Sequence, residues 1–169
     1  MAESPERLRH SVTVWERARA AVEYDLGWLS PERAGSLVLA ALLHDAGRSL
    51  DPADTEPHGF VGARLLDAAG LADVAPLVAH HSGARFEAGQ RGLSHLDRWA
   101  GVDRDLLGVL TYLDHTTTPD GDETSLADRR QGLVQRYGPA SLNVVMFDLS
   151  LTDVERGRAL LRRRQARTG

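Results

Sequence analysis

In LVLAALLHDAGRSL, Leu37 to Leu50, an apolar run with helical spacing closes on His44 and Asp45, where another aliphatic pair would fit. Burying two titratable side chains without partners costs several kcal/mol, about what a whole domain can spare. Leu37 and Ala41 precede His44 on one helical face, and Val38 and Ala41 precede Asp45. Both residues therefore continue the stripe that such a helix turns to its core. Something elsewhere in the chain must compensate them.

The same placement recurs along the sequence. His80 and His81 follow Leu77, and His81 also follows Val74 at helical spacing. His58 opens a stripe through Val61, Leu65 and Ala69, and Asp114 follows Leu107 and Leu110. His10 shares a face with Val14 and Ala18, although Arg17 stands there too. One such histidine is ordinarily a hydrogen-bonded core residue. Six or seven polar residues on separate helices would each need a separate partner. One divalent cation, or two sharing a carboxylate, satisfies them together. Imidazole and carboxylate without thiolate suit transition metals better than calcium or magnesium. Iron or manganese comes first, with cobalt, nickel or zinc as further fits.

Composition narrows the surroundings. The chain of 169 residues carries a net charge of −4, which argues against a dedicated nucleic-acid surface. It contains no cysteine, and all 20 basic residues are arginine, so disulfides, thiolate ligands and lysine nucleophiles are excluded. No apolar run reaches membrane-spanning length, and the start MAESPERLRH lacks the apolar segment of a secretory leader. A cytoplasmic, membrane-free location is expected.

The periodicity is helical almost throughout, predicting an all-α bundle. Ser4 and Pro5 open a helix that stops by Gly27, and Ser30 and Pro31 open one closed by Gly47. Further helices are expected from His58 to Ala69, from near Asp73 to His81 or Ser82, and from Asp103 to about His115. Ser125 and Asp128 form a capping box for another, and the last is expected to begin near Thr152. The Gly- and Arg-rich stretch from Gly83 to Gly101 reads as a loop with a short helix at its end.

The order His10, His44–Asp45, Asp114 resembles that of the HD-domain superfamily of metal-dependent phosphohydrolases. LLHDAGR is similar to the family's LLHDIGK, and LTYLDHTTTPDG resembles the helix that carries its final aspartate. HGFVGARLL and VAHHSG resemble elements of the members that bind two metals. The resemblance implies a single HD-type domain over 1–169, with a ligand core over about 9–121 and C-terminal helices over 125–167. It implies one metal on His10, His44, Asp45 and Asp114, and a second on Asp45, His58, His80 and His81. The members with a GYP signature share this layout, but HHSGARFEAGQ stands where that signature belongs. Their cyclic dinucleotide is therefore not the expected substrate.

By the same likeness, the expected reaction is hydrolysis of a phosphoester by metal-activated water, on a nucleotide or another small phosphorylated molecule. Asp45 and Arg48 are the candidate catalytic residues. Arg48 replaces the family's lysine and keeps the charge to grip phosphate; its plainer reading is a cation near a helix C-terminus. Ser82, Arg85 and Thr117 are candidate substrate contacts. Solvation is the alternative for Ser82 and Arg85, and capping for Thr117. A runner-up shares the ligand set: the mixed-valent di-iron oxygenases similar to myo-inositol oxygenase. A non-catalytic regulatory domain ranks below both, and a metal-free, hydrogen-bonded histidine core is the bland alternative. His95 and His115 receive no role.

Overall fold

The computed structural model describes residues 5–50, 56–93 and 95–162. Ser4 and the arginines beyond Arg162 lie outside them. Among the described residues the chain is helical, and its one β-type pairing is an isolated bridge between Thr117 and Glu123. The helices are α1 (Pro5–Tyr24), α2 (Pro31–Leu43), α3 (Gly47–Leu50), α4 (His58–Ala68), α5 (Ala75–His80), α6 (Ala84–Gln90), α7 (Arg104–His115), α8 (Leu126–Tyr137) and α9 (Leu142–Arg162). Two 3₁₀ turns, His81–Gly83 and His95–Trp99, complete the set.

Local chemistry places the helix starts. Ser30 accepts the Arg33 amide, Asp103 accepts those of Asp105 and Leu106, and Ser125 accepts that of Asp128. The core gathers around α7, which packs on α1, α2, α5 and α9. Leu107 and Leu110 of α7 meet Leu37 of α2, Phe60 of α4 and Leu77 of α5 in one buried cluster.

Two glycine contacts decide how closely elements approach. A Cβ on Gly47 would sit 1.9 Å from the His58 carbonyl oxygen and 2.7 Å from the Gly62 nitrogen. The glycine of HDAG thus lets α3 lie directly on the start of α4. Farther along, a Cβ on Gly157 would meet the Gly108 carbonyl oxygen at 2.1 Å, so α7 and α9 cross backbone to backbone.

Three expectations change. Helix α9 begins at Leu142, ten residues before Thr152 (152 − 142). Residues 84–90, expected as loop, form α6, with Ala84 and Ala88 buried one turn apart and Glu87 paired to Arg91. The buried face of α4 is Gly59, Phe60, Gly62, Ala63 and Leu66, whereas Leu65 is 47% exposed. His58 therefore stands at the edge of that face and not at the head of its stripe.

Candidate metal centre

Helix ends deliver the polar residues to one place. His44 caps α2, Asp45 follows it, His58 opens α4, His81 follows α5, and Asp114 lies in the last turn of α7. His10 comes from the first half of α1, and two turns farther along Arg17 grips the end of α7. The Arg17 guanidinium donates to the carbonyls of Leu113 and Thr116 and to the Thr117 hydroxyl. That grip explains why an arginine shares the face of His10. It also holds Asp114 in place, with His10 Nε2 at 3.1 Å from Asp114 Oδ1.

Three of the four imidazoles are oriented by the backbone. Nδ1–H donates to the Thr118 carbonyl in His10 (2.9 Å), to the Ala41 carbonyl in His44 (2.8 Å) and to the Val78 carbonyl in His81 (2.6 Å). A carbonyl only accepts, so the proton of each neutral ring lies on Nδ1 and its Nε2 lone pair faces inward. His10 and His44 Nε2 are 3.2 Å apart, and His58 and His81 Nε2 are 3.1 Å apart. Asp45 Oδ1 lies 3.1 Å from His58 Nε2, and Asp114 Oδ1 lies 3.8 Å from His44 Nε2.

Lone pairs and carboxylates thus face one another. Three overlapping sets of donor atoms lie within 4.8 Å of one another: His10, His44 and Asp45; His44, His81 and Asp114; Asp45, His58 and His81. This donor set fits a divalent transition metal, because a cation resolves the facing lone pairs that protons on Nδ1 leave unsatisfied.

Electrostatics keep the carboxylates ionised. Burial raises both aspartates, but neighbouring groups outweigh it and hold both carboxyls well below the ordinary range. For Asp45 these are His44, His58, His81 and Arg48, and for Asp114 the hydrogen bond from His10 leads. Burial and the Arg48 charge push His58 down to about 4, and burial lowers His44. Both rings are therefore neutral near pH 7. His10 is lowered by burial but lifted above its ordinary value by Asp114, the charge partner beside it.

The remaining sequence candidates divide. Arg48 donates its Nε to Asp45 Oδ1 at 2.8 Å and lines the cavity over the centre. Ser82 lines it too, in the left-handed region at φ 51°, with its hydroxyl donating to Asp114 Oδ2. His80 stands apart from the grouped donors, its Nε2 donating to the Trp99 carbonyl at 3.0 Å. Arg85 turns to Asp153 at 2.7 Å, and Thr117 is fully buried, donating to the Leu113 carbonyl. Neither Arg85 nor Thr117 lines the cavity. The wider loop's Arg98 pairs with Asp67, and its Arg91 with Glu87.

The cavity measures about 310 Å³, the size of a small-molecule site. The centre forms its floor. One wall comes from α8 and α9, including Arg129, Arg136, Tyr137 and Phe147, and His115 also lines it. Sequence reading missed these residues. His115 is stacked on Phe147, with ring centroids 4.5 Å apart and planes 10° from parallel. The available signal was its position, directly after a candidate ligand on a buried helix end.

No curated protein and no solved structure matches this chain. The HD domain family matches residues 7–122, over half of the sequence, and that span contains every residue of the donor cluster. With the paired His44–Asp45 at the centre of a helical bundle, and His10 and Asp114 brought to them from both ends of the match, the chain belongs to the HD domain family, whose members are generally metal-dependent hydrolases.

Proposed function

We propose that the protein is a metal-dependent phosphohydrolase acting on a nucleotide or another small phosphorylated molecule. The observation that carries this reading is the union of two features in one cavity: a floor of inward-facing imidazole and carboxylate donors, and arginines on its walls. Guanidinium groups suit phosphate better than they suit a neutral organic substrate.

His10, His44, Asp45, His58, His81 and Asp114 would hold one or two divalent ions, iron or manganese by preference, with Asp45 central to the set. Such an ion supplies Lewis acidity, making water nucleophilic near neutral pH and offsetting charge on the phosphoryl oxygens. The chain's own residues do the rest. Asp45, held ionised, accepts from Arg48 and so keeps a cation on the cavity wall beside the centre. Arg48 is thereby placed to stabilise charge that develops as the ester bond breaks. Ser82 fixes the second oxygen of Asp114. The neutral rings keep their Nε2 lone pairs available. The expected setting is the cytoplasm; no described helix is long and apolar enough to cross a membrane.

The test joins metal content to turnover. Protein loaded anaerobically with iron or manganese is analysed for metal, then assayed with p-nitrophenyl phosphate and its bis ester, with and without O₂. Metal uptake with oxygen-independent ester cleavage, abolished in Asp45→Asn, is the expected result. Oxygen consumption without ester cleavage would establish the di-iron oxygenase reading instead. Absence of metal after loading would refute both.

A further inference from the structure

We propose that α8, which lies beyond the residues matched by the family, is the substrate-selecting wall. It reads a second anionic group on the substrate, away from the phosphoryl group at the metal centre. The proposal rests on the phosphohydrolase reading above and adds the class of substrate: a phosphate ester that carries a further phosphate or carboxylate on an apolar or ring-bearing body.

The pattern on α8 is the first support. Arg129, Leu133, Arg136 and Tyr137 fall at i, i+4, i+7 and i+8, one face of the helix, and all four line the cavity. That face is not a core face, because no residue of α8 is buried. A helix that contributes no buried side chain, yet aims a cationic and aromatic stripe at the candidate site, is placed for a ligand and not for packing.

Pairing of the arginines is the second support. Of the cavity arginines, Arg48 is tied to Asp45 and Arg91 to Glu87. Arg129 is half-buried, yet has no hydrogen-bond or ion-pair partner among the described residues. Among the described residues Arg136 has no hydrogen-bond or ion-pair partner, and its guanidinium lies over the Tyr137 ring, 6.0 Å from the centroid. Arg130, next to Arg129 in the chain, faces away and forks onto Asp148 at 2.7 and 2.8 Å, fastening α8 to α9. The helix is thus held from its outer side, while the two arginines on its inner side have no acidic partner among the described residues.

His115 is the third. It is only 5% exposed, lines the same cavity, stacks on Phe147, and its Nδ1 has no hydrogen-bond partner among the described residues. A buried polar atom without a partner marks a place where a ligand or water completes the bonding. Phe147 and Tyr137 meanwhile offer the apolar and aromatic surface that a ring-bearing body needs. Arg129 and Arg136 stand seven residues apart, about 10 Å along the helix, so together they cover more than one position of an incoming anion.

The test uses non-hydrolysable phosphonates on metal-loaded protein, read by calorimetry. Phenylphosphonate presents one anion; para-phenylenediphosphonate and biphenyldiphosphonate present a second at two spans. Either diphosphonate is expected to bind wild-type protein at least tenfold more tightly than phenylphosphonate, as a charge-assisted hydrogen bond predicts. In Arg129→Gln/Arg136→Gln this advantage should shrink to about twofold or less. Arg156→Gln/Arg158→Gln, the same loss of two charges on α9 at residues outside the cavity, should retain the full advantage. Equal binding of mono- and diphosphonates by wild-type protein would overturn the proposal while leaving the phosphohydrolase reading intact. An advantage unaltered by the double substitution would do the same. Failure of every phosphonate to bind the metal-loaded protein would overturn both.

Discussion

His80 and His81 are adjacent and both buried, yet the structure assigns them different work, and substituting each tests that division. His81→Ala removes an imidazole whose Nε2 lies 3.1 Å from that of His58 and 3.9 Å from Asp45 Oδ1. If four donors bind a transition metal with about 10–16 kcal/mol, one of them is worth about 3 kcal/mol, so affinity should fall about a hundredfold. His80→Ala removes a ring that donates to the Trp99 carbonyl at 3.0 Å. Metal affinity should hold within about twofold, because His80 is outside the donor groups. Stability should fall instead: a lost hydrogen bond, a carbonyl left without a partner and a small cavity together cost about 3 kcal/mol. For a domain of this length that lowers Tm by about 6–12 °C.

The assay titrates one metal into each metal-free variant at a temperature where circular dichroism shows it folded, and measures Tm of the metal-free proteins separately. Loss of metal affinity in His80→Ala comparable to that in His81→Ala would refute the assignment, and with it the view that only one of the two histidines serves the centre.

Gly47→Ala places a Cβ 1.9 Å from a backbone oxygen, so α3 and α4 must part; a loss of about 3 kcal/mol is expected, measured by urea unfolding. Ser82→Gly relieves a left-handed conformation worth about 1 kcal/mol but removes the hydroxyl on Asp114. Metal-free Ser82→Gly should melt no lower than wild type, while metal titration shows affinity weakened about tenfold. The Arg130 fork, opposed slightly by burial, holds the Asp148 carboxyl below its ordinary 3.8. A depressed carboxylate contributes stability that is fully present above the unfolded value and is lost as pH falls through the folded one. The Tm difference between wild type and Asp148→Asn should therefore be constant above about pH 5 and close as pH falls below 3.8.

Much of the fold was legible because its helix starts are marked by short-range chemistry. Ser30 before Pro31, Asp103 before Arg104 and Ser125 three residues before Asp128 act within one turn, and the structure uses all three. The failures come from competing or faint signals. Thr152, Asp153, Val154 and Glu155 have the form of a capping box, yet they fall inside α9. The true start at Leu142 follows Gly138 and Ser141, whose hydroxyl bonds back to the Gly138 carbonyl as a turn would. Helix α6 buries only Ala84 and Ala88, side chains too small to raise an apolar stripe amid Arg, Glu and Gly.

The centre was legible for a reason that also explains its errors. A helix leaves its last carbonyls without intrahelical donors, and a histidine at that end can take one up with its own Nδ1–H. His44 does so with Ala41 and His81 with Val78, each three residues back, and each ring is thereby turned with Nε2 beyond the helix end. This local bond converts a polar residue at the close of an apolar run into an oriented donor, and it answers why LVLAALL ends in histidine and aspartate. Periodicity reports which residues leave water; it does not report which nitrogen finds a carbonyl. His80 and His81 share one buried stripe but differ in this respect, since His80 finds its carbonyl nineteen residues along the chain, at Trp99. Among the described residues the Nδ1 of His115 finds none, and apart from its place beside Asp114 its spacing is that of a core residue. Only the packing of α9, which brings Phe147 against its ring, shows that this histidine faces the cavity.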